Sequence, residues 1–281
     1  MLELPEDLAD QVSAALREDV GAGDVTATLV PEAQQARGRV ITREDAVLCG
    51  QAWVDETFRR LDSDLRVTWN ARDGARIHAA EVIFEVSGRA RAVLTGERTA
   101  LNFLQLLSAT ATQARQFVDA VAGTGCIILD TRKTLPGLRT AQKYAVRCGG
   151  AQNHRIGLFD MVLIKENHIV AAGSLRGAIA AAKLAAPGLK VEVEVESLEG
   201  LAQALGAGPD IVMLDNFGHA EMTQAVQLVR SRSGTVKLEA SGNVSLETVR
   251  AIAETGVDYI SIGGLTKHVR AIDLSMRFDF A

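Results

Sequence analysis

The sequence predicts an α/β protein: a parallel barrel of βα units preceded by a smaller, strand-rich α+β region. Three observations carry this. From about residue 125, short Val/Ile/Leu-rich runs alternate with helical patterns, which is the signature of βα units on a parallel sheet. Every one of those runs ends in charged, hydroxyl or glycine residues, as expected where one rim of a barrel carries a site. The first hundred residues instead hold short strands punctuated by Gly and Asp.

The elements follow in order. Residues 1–12 (MLELPEDLADQV) are acidic and helical in pattern. Residues 37–50, 65–69, 76–86 and 89–95 read as strands, and 53–61 (WVDETFRRL) as a helix packed on their sheet. Glu97 to Val121 is one long helical pattern, expected to bridge the two halves. The parallel strands are expected at 126–130, 161–164, 191–196, 211–214, 236–241 and 259–262. Helices are expected within 139–157 and at 174–186, 198–206, 219–231 and 245–255.

Composition bounds the function. The 281 residues are 47% hydrophobic and 23% charged, enough for a sizeable core, with a net charge of −5 that argues against a nucleic-acid binder. No run approaches the length of a membrane-spanning helix. The N-terminus lacks the order of a signal peptide, and Cys49, Cys126 and Cys148 form no CxxC pair. The expectation is a cytoplasmic protein without a disulfide framework or a cysteine zinc site.

The strand ends supply the chemistry. In 191–196 the valines occupy one face and Glu192, Glu194 and Glu196 the other. With valines against helices, the carboxylates point inward and require cations, and Asp215 one strand later could share a Mg²⁺ with one of them. Residues 130–170 carry seven Lys/Arg against three Asp/Glu. Arg139, Lys143 and Arg147 fall in a helical stretch and read as a solvated face. Arg132, Lys133 and Lys165 sit at strand ends and read as a binding site for a polyanion, with His154 and His168 nearby. Ser241-Gly242-Asn243 and Gly263-Gly264 follow the last strands, where barrels bind phosphate with backbone N–H groups. Two enzyme classes fit these residues: transfer chemistry on a sugar phosphate, and a Schiff-base aldolase using Lys165 or Lys133.

The blocks DTRKTLPGLR (130–139), NHRIGL (153–158), KENH (165–168), EVEVESL (192–198), MLDNF (213–217), LEASGN (238–243) and ISIGGLTKHV (260–269), with REDVGAGDVTA (17–27) and GERTALNFLQLLSATAT (96–112), resemble the quinolinate phosphoribosyltransferase family over nearly the whole chain. The resemblance implies an incomplete parallel (β/α) barrel at 111–270, an N-terminal α+β sandwich-like domain at 1–110, and a tail at 271–281 that packs back on it. It implies a homodimer that joins quinolinate to 5-phosphoribosyl pyrophosphate with Mg²⁺, yielding nicotinate mononucleotide, pyrophosphate and CO₂. Arg132, His154 and Arg155 then correspond to the carboxylate-binding positions, with Thr131 beside them. Arg98 corresponds to an arginine supplied by the partner subunit. Lys133 and Lys165 line the space between the substrates, and Glu194 and Asp215 are the acidic pair near ribose and metal. Ser241, Gly242, Asn243, Gly263 and Gly264 cradle the 5-phosphate. Leu135 stands where the family commonly has a second Thr, beside these positions, and LSATAT departs from the commoner LSG.AT, a difference expected to alter helix packing near the site. A nicotinate phosphoribosyltransferase and a barrel relative associated with molybdate transport are the nearest rivals; the Arg/His cluster at 132–155 and KENH favour the dicarboxylate enzyme.

Overall fold

The computed structural model describes residues 2–232 and 235–280. It divides into two compact units: one of residues 2–115, 134–150 and 265–280, the other of 116–133 and 151–264 without the undescribed pair.

The first unit opens with α1 (Leu8–Val20), then β1 (Gln35–Thr42), β2 (Ala46–Val47), α2 (Gln51–Leu61), β3 (Arg66–Trp69), β4 (Arg76–Ile77) and β5 (Val82–Arg89). Helix α3 (Ala90–Ala120) begins here and enters the second unit at Gln116. Along β1, Ala36, Gly38, Val40 and Thr42 face inward while Arg37 and Arg39 face water, so period-2 alternation sets which face is core. On the inner face Val40, Ile83, Phe84 and Val86 pack with Val54 and Phe58 of α2 and with Ala100, Leu101 and Leu104 of α3. Phe84 is the hub, its ring lying 4.6 Å from that of Trp69 and 6.5 Å from that of Phe58.

The strand expected at 89–95 is helix beyond Arg89. Ala90, Val93, Gly96 and Ala100 recur at helical spacing and all are buried. The periodicity seen downstream thus extends seven residues upstream, and the Val/Leu content of the run does not override it.

In the second unit, β6 (Ile127–Leu129) comes first. The chain then forms α4 (Arg139–Cys148), which belongs to the first unit, and returns for β7 (Val162–Ile164), α5 (Glu166–Ala171), α6 (Leu175–Ala185) and β8 (Val191–Val195). There follow α7 (Leu198–Ala207), β9 (Ile211–Asp215), α8 (His219–Ser231), β10 (Lys237–Ser241), α9 (Val249–Glu254) and β11 (Tyr259–Ser261), and in α10 (Gly264–Lys267) the chain passes back to the first unit at Leu265. Ser174 and Ser197 cap α6 and α7 by accepting from the backbone N–H of Gly177 and Gly200.

All six strands are parallel, in the order β6-β11-β10-β9-β8-β7. The first and second strands therefore lie at opposite ends of the hydrogen-bonded series, which makes an incomplete barrel. Gln152 forms a lone parallel bridge to Leu129 at the open edge. Val191, Val193 and Val195 are buried, and α6 and α7 contact their strand. Glu192 is wholly buried and Glu194 partly, whereas Glu196 lies past the strand end and is exposed, so only two of the three carboxylates turn inward.

The last strand, β12 (Leu274–Phe280), adds antiparallel to β1 and completes a four-stranded sheet of order β12-β1-β5-β3. Helix α4 differs from the solvated face expected of it: Gln142 and Lys143 are buried, and Gln142 Nε2 donates to the Thr266 carbonyl at 2.8 Å. Gly149 ends α4 where a Cβ would stand 2.4 Å from the Ala111 carbonyl oxygen, so this helix–helix approach requires glycine.

Candidate active site

The carboxyl ends of all six parallel strands meet at a cavity of about 380 Å³. Thr131, Arg132 and Lys133 enter after β6, and Leu163 and Lys165 come with β7. Glu194 comes from β8, Met213 and Asp215 from β9, Glu239 and Ser241 from β10, and Ser261 from β11. His154 and Arg155 complete the wall from the loop between α4 and β7.

That loop is fixed from below. Asp130 is buried; its Oδ2 accepts from Asn153 Nδ2 at 2.7 Å and its Oδ1 from the His154 N–H at 2.8 Å. The carboxylate of Asp160 accepts from the N–H groups of Ile156 and Gly157, closing the far side. The Nδ1 of His154 accepts from the Arg155 N–H at 2.8 Å, so the ring proton sits on Nε2. Nε2 then donates to Glu192 Oε2 at 2.8 Å and lies 3.5 Å from Glu239 Oε2.

Glu192 and Glu239 are wholly buried. Burial pushes Glu192 up to about 7. Burial and the neighbouring Glu192 charge push Glu239 up to about 8. Glu239 thus retains its proton at neutral pH, which lets two carboxyl groups share a dry floor with one imidazole.

The cationic wall has the opposite character. Burial, then the nearby Arg132 charge, holds the Arg155 guanidinium below its ordinary value. The Nε of Arg132 is buried and makes no hydrogen bond. Two guanidiniums drawn together, one with an unused buried donor, create a demand for a dianion. Across the cavity Lys165 Nζ donates to Glu194 Oε2 at 2.5 Å. Burial and then the Glu194 charge raise Asp215, which Lys165 and Lys133 offset. Glu194 and Asp215 therefore offer two hard oxygen donors to one space, a set that fits Mg²⁺ completed by waters and substrate oxygens.

The family model for the N-terminal domain of quinolinate phosphoribosyl transferase matches residues 24–108, and that for its C-terminal domain matches residues 110–277. The chain belongs to the quinolinate phosphoribosyltransferase family. Among relatives, the nicotinate-nucleotide pyrophosphorylase [carboxylating] of Mycobacterium leprae is 44% identical over 274 residues, covering 95% of each chain. The probable enzyme of that name from Bacillus subtilis is 41% identical over 92% of this chain and 89% of its own. Among solved structures, the nicotinate-nucleotide pyrophosphorylase of Francisella tularensis superposes with a TM-score of 0.94 at 47% identity, covering 99% of this chain and 98% of its own. NadC of Streptococcus pyogenes superposes at 0.95 with 37% identity, covering 100% of this chain and 99% of its own.

Of the residues singled out in this family member's sequence, Thr131, Arg132, Lys133, His154, Arg155, Lys165, Glu194, Asp215 and Ser241 line the one cavity. Gly242 and Asn243 continue from Ser241 and are exposed, and Gly263 and Gly264 follow β11; none of the four is in the lining. Gly242 has φ +107°, and a Cβ there would stand 2.2 Å from Asn216 Oδ1. A Cβ on Gly263 would meet Lys133 Cδ at 2.8 Å. Arg98 lies on α3 in the first unit and is exposed. Three polar residues of the cavity wall and floor were not among those assigned to the site: Glu192, Glu239 and Ser261. The alternation of 191–196 marked Glu192 as inward, and the end of β10 marked Glu239, but their convergence on His154 has no signal along the chain.

Proposed function

We propose that this chain transfers the phosphoribosyl group of 5-phosphoribosyl pyrophosphate to quinolinate with loss of CO₂, giving nicotinate mononucleotide and pyrophosphate for NAD synthesis. The observation that carries the reading is the paired guanidinium wall of Arg132 and Arg155, with its unused buried donor, beside His154. A pyridine dicarboxylate brings the two negative charges that this wall needs.

The residues take distinct parts. Arg132 and Arg155, with Thr131, hold the two carboxylates and set the ring nitrogen toward the ribose, and His154 fixes the Arg155 backbone beside them through its Nδ1. Lys133 and Lys165 face the departing pyrophosphate and offset its charge. Glu194 and Asp215 steady positive charge on the ribose ring as the nitrogen attacks C1 and the C1–oxygen bond breaks. Ser241, Gly242, Asn243, Gly263 and Gly264 cradle the 5-phosphate. Glu194 and Asp215 would hold Mg²⁺, which when bound supplies charge neutralisation to the pyrophosphate. After transfer the ring nitrogen is cationic, so the electron pair left at C2 when CO₂ departs is stabilised by the substrate itself until that carbon takes a proton from solvent. The chain needs no nucleophile for this step.

The working form in this reading is a cytoplasmic homodimer in which Arg98 of one subunit completes the carboxylate pocket of the other. Mixing Arg98→Ala with Lys133→Ala should then restore activity through hybrid dimers, and no recovery after proven subunit exchange would remove Arg98 from the pocket. Among the described residues no helix is long and apolar enough to cross a membrane.

The test is a paired assay with Mg²⁺ and 5-phosphoribosyl pyrophosphate, quinolinate in one tube and nicotinate in the other. CO₂ and nicotinate mononucleotide from quinolinate alone support the proposal. Turnover of nicotinate alone would assign the non-decarboxylating reaction, and silence in both tubes would refute transferase activity.

A further inference from the structure

A second cluster of ligating side chains lies in the first unit, and the reaction above makes no use of it. Cys49 follows β2, Asp73 lies in the turn between β3 and β4, and Cys148 ends α4. Both sulfur atoms and a carboxylate oxygen of Asp73 lie within 4.8 Å of one another.

Each ligand is oriented by its neighbours. The Cys49 N–H donates to Ser108 Oγ at 2.9 Å, and the Ser108 hydroxyl donates back to the Cys49 carbonyl at 3.1 Å. Asp73 Oδ1 accepts from the N–H groups of Gly50 at 3.0 Å and Gln51 at 3.2 Å. Its Oδ2 accepts from the Tyr144 hydroxyl at 2.9 Å, one helical turn before Cys148. Outer hydrogen bonds of this kind hold ligands in place before an ion arrives. The thiols sit in an apolar cluster with Val47, Trp53 and Leu107. Cys148, Asp73 and Tyr144 also line a cavity of about 770 Å³, which gives an ion a route in.

We propose that Cys49, Cys148 and Asp73 form a binding site for a zinc-class ion, with a fourth position open to water from this cavity. Two sulfurs and one carboxylate select a borderline-soft ion over Mg²⁺. Zinc–sulfur bonds of about 2.3 Å place two sulfurs of a tetrahedral site about 3.8 Å apart, so small side-chain adjustments suffice. A zinc-class ion takes cysteine as thiolate, so binding releases protons and strengthens as pH rises.

The test is titration of the reduced, chelator-treated full chain with Co²⁺, followed by competition with Zn²⁺. The expected result is a thiolate-to-cobalt charge-transfer band that saturates at one ion per chain and is abolished by Zn²⁺ but not by millimolar Mg²⁺. Cys49→Ser and Cys148→Ser should each weaken binding at least 100-fold, while Cys126→Ser should leave it intact. Absence of the band in the wild-type chain overturns the proposal, as does a band that survives both cysteine substitutions.

Discussion

Replacing Glu239 by Gln should make the protein more stable than wild type by an amount that grows from about pH 5 to about pH 8 and then levels off. Glu239 is wholly buried beside Glu192, and its folded-state value is raised from 4.5 to about 8. A raised value means that the folded state keeps a proton which the unfolded chain releases. The stabilising contribution is therefore complete below about pH 4.5 and is lost as pH climbs through about 8. At about 1.4 kcal/mol per unit the whole shift corresponds to about 5 kcal/mol, of which about 3 kcal/mol is lost between pH 5 and pH 8. Gln has nothing to ionise, so the variant escapes this loss. For a chain of this size the advantage over wild type should widen by roughly 6–12 °C in unfolding midpoint across that range. The chain's two tryptophans, Trp53 and Trp69, lie in the first unit, so calorimetry is the suitable assay for a residue of the second. Parallel midpoint-against-pH curves for the two proteins would refute the claim that Glu239 is neutral in the folded state.

Three further outcomes follow from the same geometry. Arg132→Ala should lower kcat/KM for quinolinate by roughly 10–100-fold, the loss of a charged hydrogen bond of about 1.5–3 kcal/mol, and steady-state kinetics at saturating 5-phosphoribosyl pyrophosphate would measure it. Gly242→Ala forces a side chain onto Asn216 at a positive φ, a strain of about 1–3 kcal/mol, and should raise KM for 5-phosphoribosyl pyrophosphate about tenfold with the circular dichroism unchanged. Phe84→Ala empties the hub of the first core and should lower its stability by about 3–5 kcal/mol in urea, read by fluorescence of Trp69, whose ring lies tilted against it at 4.6 Å.

The barrel was legible because its signals are local. Alternation of 191–196 and the short runs at 126–130, 211–214 and 259–262 placed the parallel strands to within two residues of β8, β6, β9 and β11. The run 89–95 misled because four of its seven residues are Ala, Val and Leu, a mix that strands and buried helices both use. Packing decided it, since Val93 continues the face of α3 that meets the first core and Ala90 before it is buried as well. Lys143 misled for a similar reason: a lysine in a helical pattern reads as solvated, and only the surroundings of α4 bury it.

The sequence by itself determined the order of strands and helices, the inward face of β8, and the cations at the ends of β6 and β7. These follow from the period of each element and the directions in which its side chains leave the backbone. The tertiary structure alone decided what converges. Pairing of β9 with both β8 and β10 brings Glu192 and Glu239 within reach of His154. The fold of the first unit brings Cys148 to Cys49, two residues with no motif between them. Such meetings depend on sheet order and long-range packing, and a buried charge or thiol acquires its chemistry from neighbours that local sequence does not name.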